Sequence, residues 1–337
     1  MSDRVLLTGV SGFLGGHVAL QLLNAGYTVR GSVRNLSKAD KVKATLSRAG
    51  ADISRLEFVT LDLLSDSGWD QAMTDCRFLL HTASPFFVET PKDPQELIRP
   101  AVEGTERAIN AALKAGIERI VLTSSTAAVQ YGHGDDKLSM TEADWTNLSS
   151  NHATAYARSK TLAERRAWEL MQAAGRHDDL AVINPSVILG PLLDDDEGSS
   201  SVLIKRLLDG KLPATPRFTF SIVDVRDVAA LHVDALTNPA AAGQRCIAAA
   251  GMLSMSELGQ AIKPAFPGRR IPTRNLPDWL VRIVALFDSD IAGAVNELGK
   301  PQRVVGSRGP LRLGRALINP VDAAIATGNS LIEHHLV

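Results

Sequence analysis

The sequence predicts an α/β fold, a doubly wound parallel sheet with a smaller, mostly helical C-terminal lobe. Through the first half, short apolar runs alternate with amphipathic stretches of helical period, so that strand, helix and strand follow one another. Strands joined by crossover helices lie parallel and are covered on both faces, and they read as continuous apolar runs. A glycine-spaced turn, TGVSGFLGG, follows the first run directly and marks a strand-to-helix junction at the start of the series. Near Gly190 the alternation stops at the acidic, serine-rich segment DDDEGSSS, and helices, prolines and glycines dominate beyond it.

In chain order, strands are predicted at 5–7, 27–33, 56–60, 78–81, 119–122 and 180–183, and helices over 13–24, 94–114 and 156–173. The run 218–223, with the helical pattern VRDVAALHVDAL behind it, reads as a return to the sheet. Residues 1–190 and a return segment at 218–250 thus form the predicted sheet domain, and 191–217 with 251–337 the predicted second lobe.

A chain of 337 residues, 45% of them hydrophobic, can bury a large core. Its 36 basic and 37 acidic residues leave a net charge of -1, which offers no global field to gather nucleic acid or an anionic membrane. Two cysteines and eight histidines without an HxxxH pair supply neither a disulfide framework nor a zinc cage, so no metal is expected. The first strand begins almost at once, with no leader pattern ahead of it, and no apolar stretch reaches the roughly 18 residues of a membrane span. The expectation is a cytoplasmic protein, monomer or homodimer, whose partner is a small molecule.

Gly9, Gly12 and Gly15 stand three apart between the first strand and the first helix, with Ser11, Phe13 and Leu14 in the same turn. One glycine permits the tight turn, one lets backbone approach a pyrophosphate, and one lets helix and strand pack closely. The helix N-terminus adds free N–H groups and a positive dipole, so a phosphate is expected there, as in dinucleotide-binding sheets of Rossmann type. NAD enzymes carry an acid about 20 residues farther on for the ribose hydroxyls. Here the segment is GSVRNLSK, with Arg34 and Lys38 and no carboxylate until Asp40. A guanidinium suits a 2′-phosphate, so NADP (NADPH) is the expected cofactor. In the segment LDL after the third strand, Asp62 can accept a bond from the adenine amino group, with Leu63 beside it. HTAS closes the fourth strand and brings Thr82, Ala83 and Ser84 to the pyrophosphate and nicotinamide ribose. His81 reads as a packed strand residue.

Tyr156 and Lys160 lie four apart on a predicted helix and share one face. A cation about 4 Å from a phenol at an effective dielectric near 20 contributes on the order of 4 kcal/mol, enough to bring the phenol toward proton exchange near neutrality. LTSSTAA follows the fifth strand, so Ser125 is expected on the carboxyl edge of the sheet, where it can bond a substrate oxygen beside Tyr156. A purely capping role fits Ser124 or Thr123 better. Phe86, Thr126 and Gln130 are expected to face the substrate, Phe86 being equally well read as core packing. The acidic run 194–197 reads as a solvated loop or a lid over the cofactor.

The segments TGVSGFLGGHV, SVRNLSK, HTASPF, RPAVEGT, LTSSTAAV, TEADW, YARSKTLAERRAW, NPSVILGP and VDVRDVA occur in this order. The chain thereby resembles the extended short-chain dehydrogenase/reductases, in the branch of dihydroflavonol reductase, cinnamoyl-CoA reductase and yeast methylglyoxal/aldehyde reductase. The resemblance covers most of residues 1 to 250. It implies Ser125 as donor to the substrate oxygen, Tyr156 as general acid, and Lys160 bonding the nicotinamide ribose. It also implies that Gly9, Gly12, Phe13, Leu14, Arg34, Lys38, Asp62, Leu63, Thr82, Ala83, Pro185, Ile188 and Ser200 line NADP. The implied activity is NADPH-dependent reduction of a small hydrophobic aldehyde or ketone to an alcohol, and the reverse. HTASPFFVETP departs from the plant flavonoid enzymes, so flavonoid substrates are not expected. Two alternatives are an NAD-dependent sugar-nucleotide epimerase or dehydratase and a non-catalytic NADP-sensing regulator. Thr126 and Ala127 stand where such dehydratases place an Asp-Glu pair, and the presence of Ser125, Tyr156 and Lys160 together argues against a regulator.

Overall fold

Seven parallel strands make the main sheet of the computed structural model, which describes residues 3–84, 93–134, 137–198, 200–286, 295, 298–299 and 303–337. They are β1 (Arg4–Thr8), β2 (Thr28–Val33), β3 (Leu56–Thr60), β4 (Phe78–His81), β5 (Arg119–Thr123), β7 (Leu180–Pro185) and β10 (Gln244–Ala248). The remaining described strands are β6 (Ser139–Met140), β8 (Val187–Leu189), β9 (Thr219–Asp224), β11 (Gly251–Ser254) and β12 (Arg303–Val304). The spatial order is β3-β2-β1-β4-β5-β7-β10. The chain runs outward from β1 through β2 to β3, then crosses back to β4 and runs outward the other way. The reversal between β1 and β4 opens a crevice at the carboxyl ends of those strands, where doubly wound sheets take their ligands.

The central strands β1, β4, β5 and β7 bury both faces, which explains their continuous apolar runs, while β3 at the edge is only partly covered. Val5 and Leu7 of β1 join Val29, Leu80, Val121 and Ile183 under α1 (Phe13–Asn24) and α2 (Ala39–Arg48). Leu6 points the other way, with Leu79, Ile120, Leu122 and Val182, under α3 (Trp69–Met73), α4 (Gln95–Lys114) and α5 (Ala155–Ala173). The alternation follows from the two-residue period of a strand.

The predicted return to the sheet needs a correction. β9, over the run expected there, pairs parallel with β8 and antiparallel with β11 in a separate three-stranded sheet, and the seventh strand of the main sheet is β10, paired parallel with β7. The helix behind β9, α7 (Val225–Asp234), does pack on the main sheet through Val228, Ala229 and Leu231. A third core of Leu189, Leu207, Ile222, Leu258, Ala323 and Leu331 joins β8 and β9 to α6 (Ser201–Leu208), α8 (Met255–Ile262) and the helix Pro320–Glu333. The helix α9 (Asp278–Val284) carries exposed Trp279, and a short helix at Arg308–Leu313 precedes the C-terminal one. Among the described residues no helix is long and apolar enough to cross a membrane.

Candidate active site

The glycine turn opens the crevice. Gly9 has φ +74°, and a side chain there would meet the Ala83 backbone at 3.0 Å, so both conformation and space require glycine. A Cβ on Gly15 would lie 2.0 Å from the Gly9 carbonyl oxygen, which shows how closely α1 is drawn onto the turn. Gly12 is the N-cap of α1 without any side-chain cap, and the first turn contains no acid. Its N–H groups and dipole therefore face the crevice uncompensated, a setting for an anion. Ser11 and Leu14 are half-buried in the same turn, and Phe13 packs edge-on against His17 at 5.6 Å.

Past β2, Arg34 and Lys38 are exposed, and neither is in an ion pair with another described residue. Asn35 holds the turn between them by accepting from the Ser37 N–H at 2.9 Å. Asp62 folds back to accept from the Leu64 N–H at 2.9 Å, while Leu63 packs on Gly104. At the end of β4, Thr82 donates to the Thr8 carbonyl at 2.6 Å and the Ala83 N–H donates to Thr8 Oγ1 at 3.1 Å. Thr8 Oγ1 in turn meets His81 Nδ1 at 2.9 Å. Burial, and then the nearby Lys160 charge, push the His81 pKa down to about 4. The imidazole is therefore neutral, and the tautomer it adopts sets which way the Thr8 hydrogen bond runs.

The hydroxyl, phenol and amine come from two elements. α5 starts at Thr154, whose hydroxyl accepts from the Ala157 N–H at 3.1 Å. Tyr156, in the first turn, leaves 48% of its surface open. One turn on, the Lys160 ammonium lies 5.8 Å from the Tyr156 ring centre and donates to Ser84 Oγ at 3.0 Å. Lys160 thus ties the start of α5 to the loop after β4, at the crevice. Ser125 sits where β5 gives way to a 3-10 turn, Thr126–Ala128, that packs against α5. Here the capping expectation is corrected. Ser125 itself caps that turn, accepting from the Ala127 N–H at 3.1 Å, whereas Ser124 donates to Glu164 and Thr123 bonds His232. Because Ser125 Oγ is used as an acceptor, its own proton stays free to donate.

Thr126 is buried inside the turn, and Gln130 is half-buried just beyond it. Phe86 lies outside the described residues. Pro185 ends β7 buried, Ile188 is half-buried in β8, and between them Ser186 Oγ is buried with no partner among the described residues. The acidic run is solvated at Asp195 and Asp196, and it also carries ion pairs. Lys41 of α2 pairs with Asp195 at 2.6 Å and Asp194 at 3.5 Å, and Lys205 of α6 pairs with Glu197 at 2.8 Å. The run is thereby strapped across the turn, with Gly198 against the Phe13 side chain and Ser200 at the start of α6.

Sequence reasoning passed over Glu164, Asn184 and Arg245. The Glu164 side chain is fully buried and accepts from Ser124 Oγ at 2.6 Å, Asn184 Nδ2 at 2.8 Å and Arg245 Nε at 2.6 Å. A signal existed. Glu164 is four residues past Lys160 on the same helix face, and Arg245 is a lone charge in the strand QRCIA.

The profile of the NAD dependent epimerase/dehydratase family matches residues 5–249. An uncharacterized oxidoreductase of Schizosaccharomyces pombe is 38% identical over 284 residues, 79% of this chain and 83% of that protein. A cinnamoyl-CoA reductase of Medicago truncatula is 34% identical over 287 residues, 82% of this chain and 85% of that protein. The crystal structure of Gre2 from Candida albicans in complex with NADPH superposes with a TM-score of 0.79 at 26% identity, covering 99% of each chain.

Proposed function

The chain is an oxidoreductase that belongs to the NAD dependent epimerase/dehydratase family, and on that premise we propose that it is an NADPH-dependent carbonyl reductase, converting a small hydrophobic aldehyde or ketone to the alcohol. The observation that carries this reading is Lys160, bonded to Ser84 at the crevice and one turn from the half-exposed Tyr156. Residues around the crevice fit a phosphorylated dinucleotide. Among the described residues the first turn of α1 is uncapped by any side chain, Arg34 and Lys38 are exposed without ion-pair partners, and the Ser186 hydroxyl is buried without a hydrogen-bond partner. The NADPH bound by the Candida albicans neighbour supports the same choice.

NADPH supplies a hydride when bound. Tyr156 gives its phenolic proton to the carbonyl oxygen as that oxygen gains charge, and Ser125 donates a hydrogen bond to the same oxygen. Lys160 keeps its ammonium one turn from the phenol and bonded to Ser84 at the crevice, where it can bond the nicotinamide ribose. Residues 191–217 and 251–337 would provide the remaining substrate contacts. Thr126 and Ala127 stand where a dehydratase of this fold would need an Asp-Glu pair.

The test is loss of NADPH absorbance over a panel of aldehydes and ketones. Tyr156→Phe should reduce turnover by about 100-fold or more, as expected for removal of a general acid, with NADPH affinity retained. Normal turnover by that variant would reject the assignment.

A further inference from the structure

Beneath the candidate catalytic residues lies a charged cluster that the reaction itself does not use. Glu164 is one helical turn from Lys160 and two from Tyr156, on the inner face of α5. Its carboxylate carries the Ser124 and Asn184 bonds on Oε2 and the Arg245 Nε bond on Oε1. The second proton of the Asn184 amide reaches the Ser125 carbonyl at 3.2 Å. Arg245 is completed by the carbonyls of Glu142 at 2.9 Å and Asp144 at 2.5 Å, and its guanidinium lies 3.8 Å from the centre of the Trp145 ring. The TEADW segment thus serves as a collar around this cation.

We propose that Glu164 is a positioning residue for carbonyl reduction: its buried carboxylate locks α5, which carries Tyr156 and Lys160, to the strand ends that carry Ser125. The inference rests on the reductase reading above. Of the five bonds on the carboxylate, two come from Arg245 and one from Trp168, and the other two come from groups that fix Ser125, its neighbour Ser124 and the amide holding its carbonyl. A small rotation of α5 would separate the phenol from the Ser125 hydroxyl, and a misplacement of about 1 Å can cost on the order of 100-fold in rate. Stability alone is a weak reason for such a group, since buried ion pairs are often replaceable by apolar side chains without loss.

The experiment is a double-mutant cycle on the full chain, read by single-turnover NADPH oxidation with an aldehyde that the panel shows to be reduced. Glu164→Gln should lower the hydride-transfer rate by about 10- to 100-fold and Ser124→Ala by less, each with NADPH affinity nearly unchanged. In a Ser125→Ala background either substitution should cost less than about two-fold more, because no hydroxyl remains to be aligned. Undiminished costs in that background, or an unchanged rate in the single variants, would overturn the proposal while leaving the reductase reading intact. Full activity of Tyr156→Phe would overturn both. Should Glu164→Gln strand the Arg245 charge and fail to fold, the Ser124→Ala arm decides alone.

Discussion

Arg34 shows how much one side chain can govern. It stands exposed at the end of β2, without an ion-pair partner among the described residues, where an NAD enzyme would keep a carboxylate for the ribose. A guanidinium there can form charge-assisted bonds only if a phosphate is present. Arg34→Glu should therefore weaken NADPH binding by about 10- to 100-fold, the worth of one or two charge-assisted bonds. NADH should be affected far less, and fluorescence titration of both nucleotides checks it. Equal losses would remove the contact from consideration. Ser125 makes a related point, since the bond that caps the 3-10 turn also orients the hydroxyl so that its proton can point outward.

The seat of α1 on the glycine turn depends on two adjacent glycines with opposite surroundings. A Cβ on Gly15 would collide with the Gly9 carbonyl oxygen at 2.0 Å, whereas on Gly16 it would meet only the Leu193 Cδ1 atom at 3.4 Å. Gly15→Ala should therefore destabilise the protein by about 1–3 kcal/mol or more through overpacking. Gly16→Ala should be neutral or stabilising by about 0.5–1 kcal/mol, because alanine is the better helix former. Urea midpoints of the two variants give the comparison, and equal shifts would mean that the close approach at Gly15 does not constrain the helix. The strap over this turn is a set of exposed or half-exposed ion pairs, which salt weakens.

Acid sensitivity belongs to the folded molecule as a whole. His81 and His232 are fully enclosed, and burial pushes both down to about 4, helped by the charges of Lys160 and Arg312 respectively. His232 is held neutral between the Val228 carbonyl and the Thr123 hydroxyl, each at 2.7 Å. In the unfolded chain these imidazoles take up protons near pH 6.5. Below that value the unfolded state binds more protons, so stability is fully present above pH 6.5 and is lost as pH falls toward 4. Each histidine should contribute about 1.4 kcal/mol per pH unit across that window. Urea unfolding between pH 7.5 and 5 should show the slope, and His232→Gln should flatten it by one proton. An unaltered slope in that variant would exclude His232 as a source.

Features written in short spans were legible from the sequence. Gly9, Gly12 and Gly15 specify a turn through spacing and backbone freedom, Tyr156 and Lys160 share a face because a helix repeats every 3.6 residues, and the short apolar runs at β1 to β5 and β7 announce strands, uninterrupted in β4 and nearly so in β1, β5 and β7. Each follows from neighbours along the chain. The membership of β9 and β10 in different sheets does not, since both are short and a strand's partner is whichever edge the fold brings near. Glu164 and Arg245 are separated by 81 positions, and only the packing of α5 against β10 turns two costly buried charges into one satisfied pair. Local geometry is encoded by covalent and helical periodicity, whereas pairing across the chain depends on which groups lose their water together when the layers close.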